Sequence, residues 1–213
     1  MTVHPFPSDA ANRRFLAMKY WLLGAKYHEA LRSLNFNQRF FTGVRKDGIT
    51  PEFDHHICQA QFMRTLIPHL IYPEQTIATI FTHDTQEDKD VSWQEIKDIF
   101  EDHQFGLLVA DATWKVTKVF RGEKRNEAQL FQDMASCPIA SLVKGVDRIH
   151  NFQTMVGVFS KEKQEKYIKE GIDLFLPMLK EAERNFPQQE PAYKNIRTFL
   201  KSQMQLLQVI NSH

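Results

Sequence analysis

The apolar residues of this chain recur at intervals of three and four positions over long stretches that contain few helix-breaking residues. Only 8 of the 213 residues are glycine and 9 are proline. Intervals of three and four match the 3.6-residue turn of an α-helix, whereas a half-buried strand needs an interval of two, which is nearly absent here. The sequence therefore predicts an all-α fold, a helical bundle of about 8–10 helices with at most one small hairpin.

Local signals indicate where these helices begin. Thr50 followed by Pro51 is typical of a helix start, and Ser92 with Glu95 three positions later matches a capping box. A loop or small hairpin is expected around residues 43–50. The predicted helices cover about residues 9–33, 50–68, 92–102, 105–119, 124–136, 138–158, 161–184 and 191–211, with a further short helix from about Glu74.

The charge and hydropathy of the sequence argue against several classes of protein. The 27 lysines and arginines nearly balance the 26 acidic residues, so no basic excess suggests a nucleic-acid partner. No apolar run approaches the ~18–20 residues that span a bilayer. The segment Met1–Pro5 lacks the basic and then apolar pattern of a signal peptide. We therefore expect a cytoplasmic protein with neither a nucleic acid nor a membrane as its partner.

Length and cysteine content favour a single reduced domain. At roughly 150 residues per domain, 213 residues favour one domain that covers residues 1–213. Cys58 and Cys137 both lie within apolar patterns, which is typical of reduced core residues rather than of a disulfide or a cysteine-rich zinc site.

A run of polar residues, 83–88, interrupts an apolar helix pattern. If it is helical, His83 lies near Glu87 and Asp84 lies near Asp88, because each pair is four positions apart. His83 and Asp84 together offer an imidazole nitrogen and a carboxylate oxygen to one divalent ion, with Glu87 and Asp88 one turn further on to handle water. Considered alone, the run fits a solvated acidic helix end equally well.

Two further clusters favour a metal site. The adjacent residues His55 and His56 each offer another nitrogen ligand. Asp147 belongs to an otherwise apolar helix face, so its carboxylate needs a partner. That partner is expected to be Lys144, Arg148 or a metal ion.

Five motifs follow one another along the chain: Arg45-Lys46-Asp47-Gly48-Ile49-Thr50-Pro51, His55, His83-Asp84-x-x-Glu87-Asp88, Val116-Thr117-Lys118 and Asp147-Arg148-Ile149-His150-Asn151. Their order and spacing resemble the RelA/SpoT-type HD hydrolase domain. The resemblance is close over about residues 20–160, and residues 161–213 would form a helical tail. It implies an HD-domain helical bundle and a stand-alone small alarmone hydrolase, since the chain is too short to include the family's synthetase domain.

The resemblance also implies roles for matched residues. It assigns one Mn²⁺ ion per chain to four ligands, His55, His83, Asp84 and Asp147. Such a set of two histidines and two carboxylates suits a divalent ion with open water positions better than a closed structural zinc site.

The remaining matched residues concern water and substrate. Glu87 and Asp88 match the pair that activates or orients the attacking water. Arg45 matches a residue that stacks on the base, and Lys46 matches one that meets the nucleotide by charge. Polar contacts to the ribose and base are implied for Asn151 and Thr154.

Three positions depart from the family pattern. Many members have an aromatic residue in place of Glu52, often a proline in place of His56, and often an arginine in place of Gln153. The doubled histidine leaves His56 as an alternative ligand, although its offset from Pro51 favours His55.

The function implied by the resemblance is metal-dependent hydrolysis of the 3′-pyrophosphate of ppGpp or pppGpp, giving GDP or GTP plus pyrophosphate. Two alternatives keep the enzyme class, namely adenosine alarmones such as pppApp and dephosphorylation of NADPH, because a guanidinium stacks on any aromatic ring. A non-enzymatic alternative is a helical sensor that binds a nucleotide. An alarmone synthetase is a candidate functional partner, with an antitoxin role among the options, and the oligomeric state stays open.

Overall fold

The computed structural model describes residues 8–212, so the expectation for Met1–Pro5 lies outside the described residues. Over this range the chain is dominated by α-helices joined by short loops, and the expected all-α fold is confirmed. The helices are α1 Ser8–Gly24, α2 His28–Phe40, α3 Glu52–Arg64, α4 Pro73–Thr82, α5 Thr85–Lys89, α6 Trp93–Lys97, α7 His103–Val116, α8 Glu127–Ala135, α9 Ala140–Thr154, α10 Lys161–Glu170, α11 Leu176–Asn185 and α12 Glu190–Asn211.

One small antiparallel hairpin accompanies the helices in the described range. It pairs β1 (Val119–Phe120) with β2 (Glu123–Lys124). Residues 43–50 form a loop, the first of the two alternatives expected there, closed by a single bridge between Val44 and Pro51. Two short 3₁₀ turns, Ile67–His69 and Pro187–Gln189, complete the connections.

The predicted helix over 9–33 is wrong, because the chain folds back between α1 and α2. Lys26 adopts a left-handed backbone with φ of 61°, which ends the first helix. The Trp21 and Tyr27 rings then meet edge to face, with centroids 5.6 Å apart. Leu22 and Ala30 are both fully buried on either side of this turn. The spacing of apolar residues continues through this turn because α1 and α2 each bury one face in the same core. The sequence pattern alone therefore does not reveal the break.

One of the two expected helix-start signals is found at the predicted residues, and the other is displaced by one residue. Ser92 and Glu95 form the complete capping box at the start of α6. At α3 the N-cap is Pro51 rather than Thr50. The Thr50 hydroxyl donates instead to Asp47, so it stabilises the preceding loop.

The predicted helix over 161–184 is nearly continuous, with one wider turn inside it. Helices α10 and α11 are joined by a π-helical segment, Gly171–Phe175. A side chain at Gly171 would be impossible without rearrangement, since its Cβ would lie 2.5 Å from Met204 Sδ of α12. The π segment therefore coincides with the close approach of the two C-terminal helices.

Helix α9 lies at the centre of the bundle. It packs against α3, α4, α7, α8, α11 and α12. Gly145 permits this approach, because a Cβ there would lie 2.9 Å from Ile196 Cγ2 and 3.1 Å from Leu179 Cδ2. At the other end of the α9–α12 contact, the Ser141 and Tyr193 hydroxyls lie 2.8 Å apart. The polar side chains of Ser141 and Asp147 on this helix are therefore buried within the packed bundle.

Two smaller expectations concern the cysteines and membranes. Cys58 and Cys137 are free thiols, as expected, but they are half-buried rather than core residues. None of the helices within residues 8–212 is long and apolar enough to cross a bilayer.

The contact between α6 and α7 gives a test of the packing. A Cβ on Gly106 would lie 2.5 Å from the Lys97 backbone oxygen, which cannot move like a side-chain tip. We expect Gly106→Ala to lower the free energy of unfolding by about 1–3 kcal/mol, although alanine favours helix. Urea denaturation measures this change.

Gly24→Ala is the matched control, because nothing lies within 4 Å of its added Cβ. Its effect should stay within about 0.5 kcal/mol. Equal loss of stability in the two variants would contradict the α6–α7 contact described here.

Candidate metal centre and substrate cavity

The residues His83 and Asp84 lie in a turn between α4 and α5, rather than within one continuous helix. The His83 ring is held by a 2.9 Å hydrogen bond between its Nδ1 and the Ile80 carbonyl oxygen. Since a carbonyl only accepts, Nδ1 is the protonated nitrogen in that bond. His83 Nε2 then faces Asp84 Oδ1 at 3.1 Å and has no hydrogen-bond partner.

Helix α3 contributes His55 to the same cluster of side chains. Its Nε2 lies 3.1 Å from Asp147 Oδ1 on α9, and its Nδ1 lies 2.8 Å from Nδ1 of His150. Gln59, one turn after His55, lies with its Nε2 2.6 Å from His55 Nε2. The His55 ring is therefore fixed from both sides, with Nε2 directed at the carboxylates.

Asp147 is the carboxylate on which these contacts converge. Its Oδ1 accepts from Asn151 Nδ2 at 2.9 Å and from Gln59 Nε2 at 3.3 Å. Its Oδ2 pairs with Lys144 Nζ at 3.1 Å. Of the partners expected for Asp147, Lys144 is thus the cation that the structure supplies.

Arg148, the other cation expected for Asp147, points elsewhere. It pairs with Glu170 at 3.0 Å and its guanidinium stacks between two rings, 4.4 Å from the Tyr167 centroid and 4.0 Å from the Phe175 centroid. This arrangement anchors α9 to α10 and to the π segment.

These donors fit a divalent metal ion. His55, His83 and Asp84 each offer one ligand atom, all within 4.8 Å of one another. Asp147 Oδ1 adds a fourth, 3.7 Å from His83 Nε2. A buried nitrogen without a partner, as in His83, costs about 1–3 kcal/mol, which a bound ion removes. The mixed imidazole and carboxylate set is suited to first-row divalent ions.

Three of the four candidate ligands have the ionisation state that metal binding requires, namely His55, Asp84 and Asp147. Burial lowers the pKa of His55 to about 3 and that of His150 to about 4, so both rings are neutral near pH 7. Burial opposes ionisation of Asp84 and Asp147. The charge of His83 nevertheless holds the pKa of Asp84 below its usual range, and that of Lys144 does the same for Asp147. Burial lowers the pKa of His83, but the nearby carboxylates of Asp84 and Asp147 outweigh this effect and raise that pKa above its usual value. Metals bind neutral imidazoles and ionised carboxylates, so a metal ion bound at His83 would replace a proton.

His56, the alternative histidine, lies beside the cluster. Its ring is fully buried against Phe41, with centroids 4.6 Å apart, and its Nε2 is 3.4 Å from Asp84 Oδ2. His55 belongs to the group of mutually close ligand atoms found among the described residues, and His56 does not. His55 Nε2 lies 3.9 Å from the same Asp84 oxygen, so the choice of His55 over His56 as the ligand stays a prediction.

The two acidic residues predicted to handle water follow on α5. The Glu87 carboxylate accepts from the backbone N–H of Lys118 at 3.1 Å, which fixes its direction. Burial, followed by the charges of Asp84 and Glu87, raises the pKa of Asp88 to about 6. Asp88 is therefore a carboxylate that ionises close to neutral pH, as a general base requires.

A cavity of about 870 Å³ opens over this cluster. Its size is within the range of small-molecule sites. The side chain of His83 is fully buried and does not line it. The other predicted site residues all do: Arg45, Lys46, His55, Asp84, Glu87, Asp88, Asp147, Asn151 and Thr154.

The predicted substrate residues are connected to the metal cluster. Arg45 Nη2 donates to Asn151 Oδ1 at 3.3 Å, and Asn151 in turn donates to Asp147. Thr154 lies one turn after His150 and donates its hydroxyl to the His150 carbonyl oxygen at 2.9 Å. Lys46 differs from these, since it is exposed and its Nζ lies 5.4 Å from the Phe159 ring centroid.

Two residues of the cluster received no role from the sequence. Gln59 is four positions after His55 and His150 is three after Asp147, so helical spacing was the available signal. His150 also lies inside one of the five motifs. Both act on the ring of His55 rather than offering a further close ligand atom.

A family model described as the HD domain matches residues 33–185. The chain belongs to the HD-domain family. The match extends beyond residue 160, so it includes α10, the π segment and α11 in the HD domain. It also contains both histidines and both aspartates of the cluster.

This chain is similar to part of several curated proteins that are much longer. One is the guanosine-3′,5′-bis(diphosphate) 3′-pyrophosphohydrolase of Aquifex aeolicus, 31% identical over 136 residues, which cover 55% of this chain and 19% of that protein. A probable enzyme of the same name from Synechocystis is 31% identical over 139 residues, or 63% and 17% of the two chains. The GTP pyrophosphokinase rsh of Brucella ovis is 32% identical over 164 residues, or 72% and 21%. The chain spans about a fifth of the length of these relatives.

Replacing a candidate ligand should weaken ion binding without unfolding the domain. We expect Asp84→Asn to weaken binding of Mn²⁺ by more than the 10–100-fold that loss of an outer partner costs. Isothermal titration of metal-stripped protein measures this. Asp90→Asn is the matched control, because Asp90 is exposed and pairs with exposed Arg121 at 2.9 Å. Equal affinity in the two variants would remove Asp84 from the ligand set.

The contact between His150 and His55 predicts an outer-shell effect. We expect His150→Phe to weaken Mn²⁺ binding by about 10–100-fold, because the His55 ring loses the partner that directs its Nε2. The exposed histidine of α7 gives the control variant His103→Phe, which should bind as the wild type does. Unchanged affinity in His150→Phe would show that Gln59 and packing orient His55 without it.

Proposed function

We propose that this HD domain is a metal-dependent hydrolase that removes the 3′-pyrophosphate of ppGpp or pppGpp, yielding GDP or GTP and pyrophosphate. The observation that carries this proposal is that the Glu87 and Asp88 carboxylates and the Arg45 guanidinium line the same cavity that opens over the His–Asp cluster. The Aquifex relative is a guanosine-3′,5′-bis(diphosphate) 3′-pyrophosphohydrolase and the Synechocystis relative a probable one, which supports the same substrate.

We propose Mn²⁺ as the ion, with His55, His83, Asp84 and Asp147 as its ligands. A divalent ion at such a site supplies Lewis-acid polarisation of a phosphoryl oxygen. The cluster's own contribution is to hold its donor atoms in place. Asp147 does this through hydrogen bonds that are already made, so little side-chain freedom remains to be lost on binding.

In the proposed reaction, the oxygen of a water molecule attacks the phosphorus next to the ribose, and the bond from that phosphorus to O3′ breaks. Asp88 takes a proton from the water, for which its pKa of about 6 is suited. Glu87, directed by the Lys118 backbone N–H, orients the same water. The departing O3′ gains a proton, so the products are GDP and pyrophosphate.

Arg45 is assigned to the base. Its guanidinium is held by Asn151, and it lies at the cavity wall where a flat ring can stack on it. Stacking does not discriminate guanine from adenine, so adenosine alarmones and NADPH are the comparison substrates. The sensor alternative is less favoured, since a binding module has no need of two further carboxylates, Glu87 and Asp88, in the cavity beside the His–Asp cluster.

We further propose that residues 1–213 form one HD-type unit, and that an alarmone synthetase supplies its substrate. A phosphorylated nucleotide of this kind must be made by transfer of a pyrophosphoryl group to a ribose hydroxyl. The partnership is therefore one of opposing reactions and requires no physical contact.

The first test is pyrophosphate release from ppGpp by metal-stripped protein with and without Mn²⁺. We expect release only with Mn²⁺, and a rate about 10²–10⁴-fold lower in Glu87→Gln, because the attacking water loses its orientation. Glu123→Gln, on the exposed strand β2, is the matched control. Parallel assays use pppApp and NADPH.

Three outcomes are informative. Normal turnover in Glu87→Gln would remove that residue from the mechanism. A strong preference for pppApp or NADPH would replace the guanosine substrate. Tight binding of ppGpp with no pyrophosphate release in the folded, Mn²⁺-loaded wild type would favour the sensor.

A further inference from the structure

Three lysines line one part of the cavity, and two of them lie beside the ring of Phe159. Lys163 Nζ lies 3.8 Å from the centroid of Phe159, and Lys46 Nζ lies 5.4 Å from the same centroid. Lys166, one turn after Lys163 on α10, also lines the cavity. We refer to Lys46, Lys163 and Lys166 as the lysine rim.

No ion pair within 4.0 Å joins the lysine rim to a carboxylate in residues 8–212. The neighbouring acid, Glu162, is engaged by the Ser160 hydroxyl, and this bond lowers its pKa. Lys169, on the same helix, shows the ordinary arrangement, since it pairs with Asp173 at 2.6 Å. The lysine rim is therefore a concentration of positive charge rather than part of a salt-bridge network.

Such a concentration is unfavourable in the free protein. The pKa of the Lys163 ammonium is lowered by partial burial and by the adjacent charges of Lys46 and Lys166. The rim also lies at the start of α10, where Ser160 caps the helix and the unpaired backbone N–H groups add positive potential. A ligand with several negative charges would relieve this repulsion.

The lysine rim is separate from the metal cluster. None of its three lysines makes a hydrogen bond or ion pair with His55, His83, Asp84 or Asp147 among the described contacts. Lys46 follows Arg45, which reaches the cluster only through Asn151. A nucleotide with its base on Arg45 and one phosphate group at the cluster thus has a second cationic site within the same cavity.

We propose that the lysine rim binds the phosphate chain on the 5′ carbon of the nucleotide, and that it sets a preference for substrates with 5′-polyphosphates. This inference rests on the proposed function, which places the 3′-diphosphate at the metal cluster. Ammonium groups bind phosphate oxygens as point charges and have no preference for one base over another. The lysine rim thus selects for charge at the 5′ end and leaves base selection to other residues.

The first experiment compares guanosine 3′-diphosphate with a free 5′-hydroxyl, ppGpp and pppGpp as substrates. In the wild type we expect KM to fall as 5′-phosphates are added. In the double variant Lys163→Met/Lys166→Met, KM for ppGpp should rise about tenfold with a smaller change in kcat, while KM for the 5′-hydroxyl compound stays the same. Lys169→Met is the matched control.

The second experiment requires no catalysis. Inorganic tripolyphosphate is titrated into metal-free protein in EDTA, and we expect the double variant to bind it about tenfold more weakly than either the wild type or Lys169→Met. Raising the salt concentration should weaken wild-type binding more steeply than binding to the double variant.

The outcomes separate this proposal from the proposed function. Equal tripolyphosphate affinity in the wild type and double variant, or equal KM changes for ppGpp and the 5′-hydroxyl compound, would overturn the role of the lysine rim. No cleavage of any nucleotide by folded, Mn²⁺-loaded wild type would contradict the proposed function and the 5′ assignment. In that case the tripolyphosphate titration still decides whether the lysine rim binds phosphate chains.

Discussion

The buried carboxylate of Asp147, on the most enclosed helix of the bundle, is the constraint to which the rest of the site is fitted. An ionised carboxylate in such a setting carries a desolvation penalty of several kcal/mol unless its lone pairs are satisfied. Lys144, Gln59 and Asn151 all contact it, from α9 itself and from α3. Because these contacts are satisfied within the protein, the oxygen that faces His55 and His83 has a fixed position.

The sequence predicts the fold class correctly and also predicts candidate site residues, and both predictions have a common physical basis. Helical burial imposes a 3.6-residue period on the chain, and ligand groups must interrupt that period wherever they enter the interior. Asp147 is conspicuous as a charge in an apolar run, and 83–88 as a polar run after a buried helix. Most of these predicted residues do line a common cavity, while their individual roles stay predictions.

The features that the sequence does not predict are those that leave no periodic pattern in it. The reversal of chain direction at Lys26 requires a left-handed backbone conformation, which lysine rarely adopts. No local sequence pattern predicts it. The π segment at Gly171 depends on where Met204 arrives from another helix. The lysine rim unites residue 46 with residues 163 and 166, and only the tertiary fold brings those segments together.

The cluster joins parts of the chain that are far apart in sequence. His55 and Asp147 are separated by 92 positions, and the turn at 83–84 comes between them. Closing so long a loop costs entropy that is recovered only once the helices between have packed. The site is therefore complete only when α3, the turn at 83–84 and α9 have packed together. A metal ion held by residues from all three segments would oppose their local separation, so it would act as a non-covalent cross-link.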